Sequence, residues 1–155
     1  MTLLTNLGFP RIGARRELKR ALEEFWRGET TADQLLDEAR SLRARHWKLQ
    51  REAGADVVPC NDFSLYDHVL DTAYLFDAIP ERYRTLADRD PLAGYFALAR
   101  GHQKDGVDVH ALEMTKWFDT NYHYIVPELH AGQAFRLRGD KPVQEFLEAR
   151  AQGHE

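Results

Sequence analysis

The sequence predicts a helix-rich α/β fold. Residues 2–8 are short, largely apolar and bounded by Gly8 and Pro10, so they read as a strand with its following loop. Two stretches with apolar residues at helical spacing come next. Asp56-Val57-Val58-Pro59-Cys60 then reads as a second short strand, which Pro59 ends. The order is strand, helix, helix, strand.

The first helix is expected to start near Ala14 or Arg15, behind the loop Gly8-Phe9-Pro10-Arg11-Ile12-Gly13, and to end near Gly28. Leu18, Ala21, Leu22, Phe25 and Trp26 give it an apolar face. Five cations, Arg11, Arg15, Arg16, Lys19 and Arg20, fall within ten residues whose only acid is Glu17, although the formal net charge of the chain is -4. On a helical wheel, residues 15, 16, 19 and 20 span an arc of about 140° beside the apolar one. A helix N-terminus carries partial positive charge and favours acids, so cations there lack electrostatic support from the helix. Two readings stay open. One is a solvated basic face with Glu17 paired locally; the other is a polyanion site, where carboxylates or phosphates meet Arg forks, a Lys charge and helix N–H groups.

The second helix opens on Thr31 and Gln34, which fit a capping box, and Gly54 can stop it. Leu35, Ala39, Leu42, Leu49 and Ala53 form its apolar stripe, which also contains His46; Trp47 reads as core. The polar and aromatic stretch Asn61-Asp62-Phe63-Ser64-Leu65-Tyr66-Asp67-His68 stands where a βα loop belongs. Asp62, Asp67 and His68 are acid/base candidates by type, but adjacent residues do not face one another on a helix, and capping or turn hydrogen bonds are their expected role. Helical signals resume over residues 69–76 and from Asp90-Pro91 to Gly101, with 80–88 and 101–108 as polar connections. Residues 113–128 have strand composition, and Lys116 there is either substrate-facing at a strand end or snorkelling to water. A last strand is expected at 134–137, then a helix from Asp140-Lys141-Pro142 through Ala151.

At 155 residues and 43% hydrophobic content, the chain can bury a core as one ordinary domain. No apolar run approaches the roughly 20 residues that span a bilayer, and no secretory pattern opens the chain, so a cytoplasmic protein with no membrane partner is expected. The acidic balance argues against general nucleic-acid binding, although the local basic run keeps that option open, and no nucleic-acid partner is expected. The single Cys60 excludes an intramolecular disulfide, and His110, His123 and His130 lack metal-ligand spacing, so no metal site is expected.

Four stretches in order, Leu7-Gly8-Phe9-Pro10-Arg11-Ile12-Gly13, Arg15-Arg16-Glu17-Leu18-Lys19, Asn61-Asp62-Phe63 to Tyr66-Asp67-His68, and Met114-Thr115-Lys116-Trp117-Phe118 to Asn121-Tyr122-His123-Tyr124, closely resemble the start of cobalamin-independent methionine synthase. The likeness runs nearly end to end. It implies zinc-dependent methyl transfer from 5-methyltetrahydropteroyltri-L-glutamate to homocysteine, without cobalamin, on two (β/α)8 barrels. This chain would be a partial (β/α)8 barrel, residues 1–155 forming an incomplete N-terminal barrel domain whose partner is the missing C-terminal barrel. By the same resemblance Arg16, Glu17, Leu18, Lys19 and Lys116 bind the folate substrate, with Arg15 adding charge to the same face. The family's zinc ligands lie in the C-terminal half, Cys60 matches none of them, and no catalytic residue is implied here. The chain alone is therefore expected to be inactive; the other reading is a stand-alone polyanion-binding or interaction module. By the resemblance, Asn is expected in some relatives where Asp119 stands, so this chain would place negative charge near the proposed anion site.

Overall fold

A computed structural model describes residues 2–154. In chain order its elements are α1 (Glu17–Trp26), α2 (Ala32–Glu52), α3 (His68–Leu75), α4 (Glu81–Arg89), α5 (Pro91–Arg100), β1 (His102–Lys104), β2 (Val107–Val109), β3 (Met114–Lys116), β4 (His123–Ile125) and α6 (Lys141–Ala151). They fall into two units. One takes the described residues up to Leu65 together with those from Lys141 onward, and the other is Tyr66–Asp140.

In the first unit α1 packs on α2, and their buried side chains include Leu18 and Leu22 on one and Leu35, Ala39 and Leu42 on the other. Each buried leucine contributes about 1.5–3 kcal/mol. The capping box forms as expected: Thr31 Oγ1 accepts the Gln34 N–H at 3.3 Å, and Gln34 Oε1 accepts the Thr31 N–H at 2.8 Å. Gly54, with φ 92°, follows the end of α2. Trp47 is core, and the buried His46 ring lies 4.6 Å from that of Phe9. Burial, with Arg45 adding repulsion, pushes the His46 imidazole below its ordinary pKa. Leu49 departs from the expected stripe and is 51% exposed. Ala53, the C-cap of α2, is exposed as well, while the buried face of the helix continues through His46, Trp47 and Gln50 instead. From α6, Glu148 meets Arg43 at 2.7 Å, and Lys141 Nζ donates to Asn61 Oδ1 and Phe63 O, both at 2.8 Å.

The strands expected at 2–8 and 56–60 reduce to one isolated parallel bridge, Thr5↔Val57. The Leu4 amide donates to Asp56 Oδ2 at 2.7 Å and the Asp56 amide to Leu4 O at 2.9 Å. Parallel strands are normally sustained by neighbours and by cover on both faces, and among the described residues neither segment pairs with a further strand.

In the second unit, the buried Asp67 carboxylate caps α3 through the Leu70 amide at 2.8 Å and also accepts the Ile125 amide of β4 at 3.0 Å. The connection expected at 80–88 is instead α4. Tyr83, Leu86 and Ala87 are buried at i, i+3 and i+4, a stripe hidden in the sequence among charged neighbours. Asp90 caps α5, with Pro91 at its first position, as expected. Gly94 lets α5 approach α4, since a β-carbon there would overlap Ala87. The connection expected at 101–108 is a β1–β2 hairpin, with Asp105 (φ 53°) and Gly106 (φ 77°) left-handed as a two-residue turn of this kind demands. Residues 113–128 give two three-residue antiparallel strands, Met114 opposite Ile125 and Lys116 opposite His123, rather than one long strand. No strand forms at 134–137; the Arg136 and Arg138 amides donate to Phe76 O and Leu75 O at 3.3 and 2.7 Å, which ties this run to the end of α3.

The architecture is thus helix-rich α/β, with two separate two-stranded antiparallel sheets and no closed barrel among the described residues. No helix among them is long and apolar enough to cross a membrane.

Candidate anion-binding site

The cations at the head of α1 are arranged differently from the helical wheel. Gly13 (φ 84°) and Arg16 (φ 61°, ψ 36°) are both left-handed, so the helix starts at Glu17, two residues or more later than expected. The turn closes through the Arg16 amide to Gly13 O and the Leu18 amide to Ile12 O, both at 3.1 Å. Arg15 and Arg16 therefore sit in the turn, Lys19 and Arg20 on the first turns of the helix, and all four are exposed. The first-turn acid is Glu17, which suits the helix dipole.

Each residue of the expected binding turn has a distinct position. Leu18 is fully buried, so it can offer a ligand only its backbone. Lys19 pairs loosely with Glu23 at 3.5 Å, both about half exposed. Arg15, Arg16 and Arg20 make no ion pair among the described residues. Glu17 Oε2 accepts the Arg15 amide at 2.9 Å, and Oε1 lies 3.3 Å from Arg45 Nη2. Hydrogen bonds from its own amide and that of Arg15, with Arg45 and Arg15 charges, hold the Glu17 carboxyl below its usual pKa against a smaller opposing effect of burial. Arg11 is set apart from the outward cations, its Nη1 donating to Ser64 O at 3.1 Å and Leu65 O at 3.2 Å. Arg45 carries no sequence signal for this role: it lies 28 residues from Glu17 and also reaches Glu38 at 3.8 Å. No local motif marks such a pair.

Lys116 belongs to the second unit. It is the last residue of β3 and is exposed, as is Met114, while Thr115 between them is half-buried. Trp117 follows, edge-on to Phe118 at 5.1 Å and to Tyr124 at 5.6 Å. The Trp117 amide donates to Tyr122 O at 2.8 Å and Thr120 Oγ1 donates to Trp117 O at 2.6 Å, which holds the turn that carries the exposed Asp119. Lys116 has no ion-pair partner among the described residues.

Asp62 and Asp67 make turn and capping hydrogen bonds as expected, and the contact of His68 is made by its backbone amide. Asp62 Oδ2 accepts the Phe9 amide at 2.8 Å, Asp67 caps α3, and the His68 amide donates to Tyr122 Oη at 3.1 Å. Burial, with Glu145 and Asp62 nearby, raises the pKa of the half-buried Cys60 thiol. Among the described residues no three His, Cys, Asp or Glu side chains are grouped to hold a metal ion. Exposed guanidinium and ammonium groups of this kind have the chemistry to pair with anions.

The family described as cobalamin-independent synthase, N-terminal domain, matches residues 3–155. A 5-methyltetrahydropteroyltriglutamate–homocysteine methyltransferase of Xylella fastidiosa (strain 9a5c) is 75% identical over 153 residues, covering 99% of this chain and 20% of that protein. Proteins of the same name from Bifidobacterium animalis subsp. lactis (strain AD011), 53% identical over 156 residues, and Caulobacter vibrioides (strain ATCC 19089 / CIP 103742 / CB 15), 56% identical over 165 residues, cover 100% and 97% of the chain. The chain corresponds to 20% and 21% of the length of those two. It therefore spans about a fifth of the length of the curated relatives it matches. With a match that includes both the basic turn and the Lys116 hairpin, this chain belongs to the cobalamin-independent synthase N-terminal domain family.

Proposed function

We propose that this chain supplies folate-tail binding to a methyltransferase that moves a methyl group from 5-methyltetrahydropteroyltri-L-glutamate to homocysteine to make methionine. The observation that carries this reading is the group of four exposed cations, Arg15, Arg16, Lys19 and Arg20, around a turn whose one carboxylate, Glu17, is already engaged. The names of the relatives supply a matching anion, a triglutamate. Guanidinium forks bind carboxylates bidentately and lysine adds a point charge. Exposed pairs of this kind contribute only about 0.2–1 kcal/mol each, so useful affinity requires several at once. A tail with several carboxylates satisfies that requirement. Lys116 is proposed as a further cation, carried by the second unit.

The residues present do not fit the zinc that the family resemblance implies, since no candidate ligand group exists among the described residues. No step of methyl transfer is derived from them, and the chain alone is expected not to turn over. The parallel bridge Thr5↔Val57, with α1 and α2 between its partners, supports reading residues 1–155 as the incomplete N-terminal (β/α)8 barrel domain of a longer chain whose partner is a C-terminal barrel.

Lys19→Ala and Lys116→Ala test the reading by calorimetry. Each is expected to weaken binding of the triglutamate folate by roughly three- to fivefold and of the monoglutamate form by less. Equal weakening of both forms would count against tail recognition.

A further inference from the structure

The Glu17 carboxylate turns back over the loop that precedes it. Oε2 accepts the Arg15 amide at 2.9 Å, and Oε1 lies 3.3 Å from Arg45 Nη2 on α2. Gly13 makes room for it. A β-carbon at residue 13 would overlap the carboxylate and come within 2.8 Å of Leu42 Cδ2, and the glycine also takes φ +84°, which side-chain-bearing residues rarely adopt. Two residues after the room made by Gly13 comes Arg15, whose amide the carboxylate holds, and then Arg16, left-handed although it is not glycine and without a side-chain cap. The local chain is thus held by a carboxylate, while the guanidinium groups of Arg15 and Arg16 remain exposed.

A carboxylate aimed at a polyanion would repel it, and this one has both oxygens engaged by donors of its own chain. Resting on the reading of the turn as a polyanion site, we propose that Glu17 is a positioning residue: its carboxylate, held by the Arg15 amide and Arg45, fixes the Gly13–Arg16 turn so that Arg15 and Arg16 are presented to the ligand, which Glu17 itself does not touch. Arg45 completes the device from α2. The lowered pKa of Glu17 agrees, because the donors around it favour the ionised form.

The test uses the 155-residue chain with two readouts, amide hydrogen exchange at Arg15 and calorimetric titration with 5-methyltetrahydropteroyltri-L-glutamate. In Glu17→Ala, the Arg15 amide is expected to exchange roughly tenfold faster. Affinity for the triglutamate is expected to fall roughly tenfold through lost preorganisation. Gly13→Ala, which displaces the carboxylate without removing its charge, should act in the same direction on both. Glu17→Gln keeps an oxygen for the Arg15 amide and should recover much of both losses. In an Arg15→Ala/Arg16→Ala background, Glu17→Ala should cost no further affinity.

Wild-type binding combined with unchanged Arg15 exchange in Glu17→Ala overturns the positioning role alone. So does unchanged or tighter binding by that variant, which is what a solvated or repelling carboxylate predicts. A loss that persists in the double-alanine background means direct contact and also overturns it. A wild-type chain that binds no triglutamate, while Arg15 exchange still responds to Glu17→Ala, removes the polyanion reading and the presentation of the arginines with it. Circular dichroism of each variant separates these outcomes from unfolding, and Glu17→Gln serves as the milder variant should Glu17→Ala unfold.

Discussion

In the unit Tyr66–Asp140 three guanidinium groups close on one buried carboxylate, whereas in the other unit the cations at the head of α1 face solvent. Asp77, with its side chain 3% exposed, accepts Arg136 Nε at 2.7 Å, Arg84 Nη1 at 3.0 Å and Arg138 Nη1 at 3.3 Å. Burial pushes its carboxyl up, but the hydrogen bonds and charges of Arg136 and Arg84 outweigh that, and its pKa lies below the usual value. Its arginines have their anion built in. At the turn before α1, the built-in acid is Glu17, which faces the Arg15 amide and Arg45 and leaves the guanidinium groups of Arg15, Arg16 and Arg20 outward. A cluster of arginines is therefore a stabilising device where an internal carboxylate saturates it, and a candidate binding surface where none does.

The largest expected effect breaks the saturated cluster. Asp77→Asn removes the buried carboxylate that Arg84 and Arg138 share, while Arg138 keeps Asp88 at 2.7 Å and Arg84 keeps Glu81 at 3.6 Å, so the expected cost is that of charge-assisted hydrogen bonds, about 1.5–3 kcal/mol. Denaturant titration measures it, and a loss under about 1 kcal/mol would mean that the two clusters are alike after all. Next in size is the open cluster. Replacing Arg15, Arg16 and Lys19 together by Gln should weaken triglutamate binding roughly 10- to 100-fold, equivalent to about 1.4–2.7 kcal/mol. Stability of that variant should stay within about 0.5 kcal/mol of wild type, because exposed cations at a helix head contribute little to the fold. Thermal melts beside the titration show whether the two quantities separate.

The smallest effect concerns acid. Because the folded pKa of Asp77 is depressed, its stabilising contribution is complete above the ordinary carboxyl value of about 3.9 and is lost as pH falls through the folded value. Denaturation midpoints followed from pH 5 downward should therefore fall more steeply in wild type than in Asp77→Asn. Equal slopes would contradict the assignment of Asp77 as the saturating anion.

Much of the helical framework could be read from short-range chemistry. The Thr31/Gln34 capping box, Asp90-Pro91 at the head of α5 and the start of α6 at Lys141-Pro142 all depend on residues within four positions of one another. The start of α1 could not be read so simply, because it depends on a left-handed arginine after a glycine that accommodates the Glu17 carboxylate. Arg45 and Glu17 are brought together only by the packing of α1 on α2. The β1–β2 hairpin carried a local signal, Asp105-Gly106, that the polar composition of its surroundings masked. The strands read at 2–8 and 56–60 have suitable composition, but strand formation needs partners, and one bridge is what the described residues provide. Of the candidate site, the run of cations and a local partner for Glu17 were legible, whereas the left-handed turn that puts Arg15 and Arg16 ahead of the helix and the contribution of Arg45 were not.

The central claim is that Arg15, Arg16 and Arg20, which pair with no carboxylate among the described residues, and Lys19, whose pairing with Glu23 is loose and half exposed, take a multiply charged tail. The most direct measurement is calorimetric titration of the unmodified chain with the triglutamate and monoglutamate forms of 5-methyltetrahydrofolate at low and high salt. The account predicts tighter binding of the triglutamate, by roughly tenfold or more at low salt, with the difference shrinking as salt screens exposed charges. Equal affinity for the two forms, or a preference that salt leaves unchanged, would contradict it.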